Sequence, residues 1–110
     1  MDINIKATNI ELTSEIKDYI QEKIDMLEKY LGRTKVISAK FEVEMTTRHH
    51  VKGEIYRAEA NLIVPSSILR VEKTEKDLFK AIDKVKDHLA RSIKKYKEKS
   101  REAKRGEIIL

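Results

Sequence analysis

One stretch constrains the chain more than any other: residues 74 to 105, TEKDLFKAIDKVKDHLARSIKKYKEKSREAKR. Its apolar residues recur at helical, not strand, spacing. On a 3.6-residue wheel Leu78, Ile82, Val85, Leu89, Ile93 and Tyr96 share one narrow face, with Phe79 beside them. Lys80, Lys84, Arg91 and Lys95 fall on the opposite face, interrupted by Asp87 and Glu98 and flanked by Lys94 and Arg105. Thr74 is the expected N-cap, and Asp77 stands where a capping box would place its acidic partner. Such a helix buries one side and offers a mostly cationic surface on the other.

The charge is concentrated at the end of this helix. Residues 91–105 hold eight bases and two acids, a local charge of +6, whereas the whole chain carries +5; the remaining residues therefore sum to −1. A local excess of this kind is the electrostatic footprint of a protein that binds polyanions. The plainer reading, a helix end kept soluble by lysine, is weakened because acids do not balance the bases in the final turns.

The rest of the chain must cover the apolar stripe. Residues 2–7 alternate, with Ile3, Ile5 and Ala7 on one face, as in a short half-buried strand. Thr13 precedes a helical run as an N-cap, with Glu15 in the first turn. Ile16, Ile20, Ile24, Leu27 and Leu31 form the stripe of this first helix, Tyr19 and Tyr30 widen it, and Gly32 ends it. Residues 36–46 place Ala39, Phe41, Val43 and Met45 inward, and residues 55–64 do the same with Tyr56, Ala58, Ala60, Leu62 and Val64. Gly53 marks a turn between them, within TTRHHVKGE; Pro65, Ser66 and Ser67 form a second turn before a shorter strand through Leu69 and Val71.

The order is β-α-β-β-β-α. Strands with a single apolar face need cover on that face only. The expected architecture is α+β: a two-layer sandwich of a four-stranded sheet with two helices on one face. At 110 residues this is one domain, spanning 1–105, followed by a short tail at 106–110.

Several chemistries are excluded. There is no cysteine, hence no disulfide framework or thiolate. His49 and His50 are adjacent, so on a strand they point to opposite faces and do not readily chelate one metal ion. Glu42, Glu44, Glu54 and Glu59 read as outward carboxylates opposite Lys40, Arg48, Lys52 and Arg57. No nucleophile, base and oxyanion donor are grouped, and three glycines do not make a phosphate-cradling loop. No enzyme, metal, cofactor or small-molecule substrate is expected. The start, MDINIKATNI, does not resemble a signal peptide, and no apolar run has the length of a membrane span; a cytoplasmic protein is expected.

Nucleic acid remains. Phe41 and Tyr56 lie in the inward register, so the sheet does not display the aromatics of an RNA-reading surface. Tyr19, Tyr30 and Tyr96 lie on or near the core sides of helices and are read as packing. The cations are on the helices, with Lys23, Lys29, Arg33 and Lys35 on and after the first one. Such a surface reads phosphate and shape.

The run DLFKAIDKVKDHLARSIKKYK at 77–97 resembles a pattern of the ribosome hibernation-promoting factor family, also called ribosome-associated inhibitor or protein Y. Asp77, Ala81, Ile82, Asp83, Asp87, Leu89, Arg91, Ile93, Lys95 and Lys97 match it; in the first helix Ile16, Tyr19, Ile20, Lys23, Leu27, Glu28, Tyr30 and Leu31 fit as well. The resemblance implies a factor that sits on the small ribosomal subunit between head and platform. There it overlaps the tRNA and mRNA positions and holds ribosomes idle in stress or stationary phase. It implies rRNA contacts by Lys23, Arg91, Lys94, Lys95 and Lys97; the helical wheel adds Lys80 and Lys84.

Three departures qualify the resemblance. Long family members carry a linker and second domain, expected to be missing from a chain of 110 residues, and the acidic tail of inhibitor-type short members is missing too. His88 stands where the pattern has a lysine; it is kept among the candidate rRNA contacts. The expected partner is the small subunit and its rRNA, with a monomer off the ribosome. The alternatives are a standalone structured-RNA module laid out like a double-stranded-RNA-binding domain (α-β-β-β-α), and a protein-interaction domain whose basic helix meets an acidic partner.

Overall fold

The computed structural model describes the backbone of residues 1–46, 53 and 55–109, and side chains as far as residue 101. Its elements are β1 (Asn4–Thr8), α1 (Ser14–Asp25), α2 (Glu28–Leu31), β2 (Ser38–Thr46), β3 (Ile55–Val64), β4 (Ser67–Glu75) and α3 (Leu78–Ile109). The sheet order is β1-β2-β3-β4. β1 runs parallel to β2, because α1 and α2 carry the chain back across the sheet between them. β2, β3 and β4 form an antiparallel meander. This is the expected α+β sandwich.

The faces follow the alternation. Ala39, Phe41 and Val43 of β2 and Ala58, Ala60, Leu62 and Val64 of β3 are buried under the helices. Ile16, Ile20 and Ile24 of α1 and Leu78, Ile82, Val85, Leu89 and Ile93 of α3 close the core from above. Thr13 caps α1 by accepting the Ile16 N–H at 3.2 Å. The single first helix expected is divided at Met26 and Leu27, and Gly32, at φ 56°, ends α2.

Three boundaries differ from expectation. Thr74 does not cap α3: it belongs to β4, opposite Arg57 in the β3–β4 ladder. The cap is Asp77, whose carboxylate accepts the Phe79 N–H at 2.9 Å and the Lys80 N–H at 3.4 Å. β4 is consequently nine residues long rather than a short strand. At the other end α3 continues past residue 105 as far as Ile109, through Gly106. The two-residue turn Pro65–Ser66 closes the β3–β4 hairpin, with Ser66 at φ 66°. His49 and His50, and Arg48, Lys52 and Glu54, lie outside the described residues.

The uncovered face of the sheet is held by charge. Glu42, Glu59 and Glu72 stand in one row across β2, β3 and β4. Arg57 joins them: it reaches Glu42 at 2.7 Å, Glu44 at 3.0 Å, Glu59 at 2.9 Å and Glu72 at 3.8 Å. The Asn61 amide and then the Arg57 guanidinium hold Glu59 below the usual carboxylate range, against its partial burial. Because the folded value is depressed, this stability is present above the unfolded value and lost as pH falls through the folded one. Arg57→Met is therefore expected to cost on the order of 2 kcal/mol near neutral pH, less than for a fully buried pair because the face is wet. The cost should shrink in denaturation experiments at about pH 3, where carboxylates protonate. An equal cost at both pH values would mean that Arg57 contributes packing and not charge.

Candidate nucleic-acid interface

α3 presents its core stripe to the sheet and α1, so its remaining sides point outward. Lys80, Lys84, Arg91, Lys94 and Lys95 are exposed, as the wheel requires. The candidate contacts nevertheless fall into two groups, on the two flanks of α3.

The flank toward β4 carries Lys84, His88, Arg91 and Lys95. Lys84 is paired with Glu75 at the end of β4, and that ammonium is the main cause holding the Glu75 carboxylate below its usual range; Lys80 adds to it. His88 is half-buried, and its Nδ1 is enclosed without a hydrogen-bond partner among the described residues. Burial, then Lys73 on β4 and Arg91 and Lys95 on α3, push the imidazole below its ordinary value. His88 is thus a neutral residue wedged at the edge of the cationic row.

The flank toward α1 and α2 carries Lys23, Lys94 and Lys97. Lys23 is held rather than free. Its Nζ lies 3.4 Å from the Asp83 carboxylate and 5.1 Å from the centre of the Tyr19 ring. The Tyr19 hydroxyl donates to the same carboxylate at 2.7 Å, which pushes the phenol up to about 12, and the ring meets Phe79 edge-on at 4.8 Å. Asp83 therefore ties α1 to α3. Further along, the Tyr30 ring has Lys94 at 5.0 Å and Lys29 at 5.1 Å from its centre. Lys97 is half-buried and donates to the Tyr30 carbonyl at 3.0 Å.

These contacts were not readable from single helices. In the sequence Asp83 is a motif match without a role, and Tyr30 is a motif match whose position reads as packing. Tyr19 and Tyr30 do pack against the core, yet together with Asp83 they also contact four lysines, Lys23, Lys29, Lys94 and Lys97. The available signal was the spacing of Tyr19 and Lys23, one helical turn apart on α1.

The arrangement is a two-sided cationic ridge with pre-placed lysines on one flank and exposed bases along its crest. It suits electrostatic contact with a phosphate backbone. The three or more His, Cys, Asp or Glu side chains that a metal centre needs do not come together among the described residues.

Comparison with known proteins assigns this layout. Residues 3–101 match the model of the family described as sigma 54 modulation protein / S30EA ribosomal protein. The chain belongs to this family. Members of the S30EA family are ribosome factors, not enzymes. The ribosome hibernation promotion factor of Lactococcus lactis subsp. cremoris is 33% identical over 94 residues, covering 86% of this chain and 48% of that protein. The ribosome hibernation promoting factor of Klebsiella oxytoca is 30% identical over 99 residues, covering 90% of this chain and 96% of that one. The chain therefore spans about half the length of the long curated relatives it matches and nearly all of some short ones. The crystal structure of the Thermus thermophilus Protein Y N-terminal domain superimposes with a TM-score of 0.69 at 28% identity, covering 87% of this chain and 99% of that one. Among the described residues, no helix is long and apolar enough to cross a membrane.

If the ridge binds RNA, His88 tests whether its edge touches phosphate. Its folded value is lowered, so the stability it contributes is present above about 6.5 and lost as pH falls from there through the folded value. Phosphate nearby acts in the other direction and favours the imidazolium. Lowering pH from about 8 to about 6 should then tighten RNA binding, and His88→Lys should tighten it at pH 8 and flatten the profile. Equal affinity at pH 8 with parallel profiles would place His88 outside the contact.

Proposed function

We propose that this chain is a ribosome hibernation factor that binds the small ribosomal subunit at the decoding region and blocks the tRNA and mRNA positions there. The observation that carries the reading is the exposed cationic crest of α3, in a chain that matches the S30EA family from residue 3 to residue 101. The relatives in Lactococcus lactis and Klebsiella oxytoca are ribosome hibernation factors, which supports this function class. Lys80, Lys84, Arg91, Lys94 and Lys95 would meet rRNA phosphates from the crest, with His88 at its edge. Lys23 and Lys97 would meet them from the positions that Asp83 and Tyr30 hold.

In this reading the domain is residues 1–105, the partner is the small subunit with its rRNA, and the free protein is a cytoplasmic monomer. Occupying the decoding region keeps a ribosome idle without chemistry, which suits a site that offers charge and shape only.

Co-sedimentation tests it. Tagged chain should travel with small subunits and with whole ribosomes in extracts of stationary cells, less so in growing cells, and added mRNA with tRNA should displace it. Migration at the top of the gradient under every condition would overturn the reading. The duplex-RNA alternative has no counterpart for β1; binding to duplex RNA without ribosomes would be its signature.

A further inference from the structure

The cationic end of α3 does not only form a ridge. Where α3 passes the α2–β2 loop and the Pro65 turn, an open groove of about 530 Å³ lies between them. Arg33 and Lys35 enter from the loop, and Lys97 and Arg101 from the helix; no carboxylate lines the groove among the described residues. Arg33, Lys35 and Arg101 are exposed, and the Lys97 ammonium is already anchored on the Tyr30 carbonyl at 3.0 Å. Gly32 makes room for that anchor: its backbone is at φ 56°, and a Cβ there would come within 3.3 Å of Lys97 Nζ.

The groove is not merely charged. Leu31, Pro65 and Tyr96 give it an apolar part, and the Tyr96 hydroxyl is spent on the Pro65 carbonyl at 2.8 Å, which fixes the ring. Thr34 and Ser100 add hydroxyls at its rim. A duplex backbone offers phosphates to a ridge and has no use for a recess. A recess with a fixed aromatic, apolar walls and several cations suits a single unpaired nucleoside phosphate, with the base against the apolar part and the phosphate among the cations. Its volume lies within the range of small-molecule sites.

We infer that this groove binds one unstacked nucleoside phosphate, presented by a single strand of RNA or free in solution. For the RNA source the inference rests on the proposed ribosome binding, and it adds to that reading one extruded nucleotide beside the phosphate contacts of the ridge.

The test uses the whole chain and three probes at one salt concentration: hexa-adenylate, an RNA duplex long enough to stay paired, with affinities compared per phosphate, and AMP. Hexa-adenylate should bind more tightly than the duplex. Ser100→Trp, which fills the groove from an exposed helix position without changing charge, should weaken hexa-adenylate about tenfold and leave the duplex unaffected. Arg33→Ala with Arg101→Ala should weaken hexa-adenylate by at least as much. The backbone amide signals of Thr34 and Ser100 should move on titration with whichever source occupies the groove: hexa-adenylate alone assigns it to RNA, and AMP assigns it to a free nucleotide. Equal affinity for single strand and duplex, with Ser100→Trp silent toward both and the two amides unmoved by either probe, overturns the inference. That outcome leaves ribosome co-sedimentation intact if the proposed function holds, whereas loss of co-sedimentation with hexa-adenylate binding retained removes the function and keeps the groove.

Discussion

Raising salt from 50 to 200 mM should weaken binding of this chain to ribosomal RNA by about 10³-fold, if roughly six phosphates are engaged. Each cation that neutralises a phosphate releases condensed counterions, so affinity falls as a power of the salt concentration, and the exponent counts the contacts. Arg91→Ala with Lys95→Ala should reduce the magnitude of that exponent by roughly two. Both side chains are exposed on the crest of α3, so the melting temperature should stay near that of the wild type. Lys84→Ala should change the exponent less, because Glu75 already neutralises Lys84 and must be released before a phosphate can replace it. Lys23→Ala should alter both stability and binding, since Lys23 belongs to the Asp83 clamp between α1 and α3. Filter binding at four or five salt concentrations, with thermal melts of each variant, reads all of these. An unchanged exponent in the Arg91 and Lys95 double variant would remove the crest of α3 from the RNA contact.

The difference between Arg91 and Lys84 marks what the sequence could carry. Exposure on a helix depends on period alone, and the wheel placed Arg91, Lys95, Lys84 and Lys80 outward, where they are. Whether an exposed cation is free depends on its neighbours from other elements. Glu75 is near Lys84 in sequence but meets it from β4, where a helical wheel does not apply, and Lys23 reaches Asp83 from another helix, outside any local window. The same limit explains the boundary at Thr74. A threonine before a helical run is a sound local cap signal, but the β3–β4 ladder extends through Arg57 opposite Thr74 and Tyr56 opposite Glu75. Those ladder bonds hold both residues in strand, and Asp77 becomes the cap instead. The inward faces of β2 and β3 were legible for the opposite reason: strand alternation is strictly local, and one residue of slip would put Phe41, Val43 and Ala58 in water. On the solvent face the outward acids Glu42, Glu44 and Glu59 and the base Arg57 are legible as a group of opposed charges, but that Arg57 alone joins all three, and Glu72 of β4 with them, depends on the sheet register.

Leu89→Ala should lower stability by about 2–5 kcal/mol, a drop in melting temperature on the order of 10–25 °C for a domain of this size. Leu89 is 1% exposed and lies between Val85 and Ile93 in the middle of the α3 stripe, each of them fully enclosed. Truncation removes the transfer free energy of the lost isopropyl group and leaves a cavity that α3 cannot close by collapsing onto the sheet, because residues on both sides are already packed. The comparison with Arg91→Ala, two positions away, separates scaffold from contact. Arg91→Ala should spare the melting temperature and reduce the salt exponent; Leu89→Ala should do the reverse when binding is measured cold enough that the variant remains folded. An unchanged midpoint in Leu89→Ala would mean that this face of α3 is not in the core. Arg91, assigned to the crest by the same wheel, would then lose its place there.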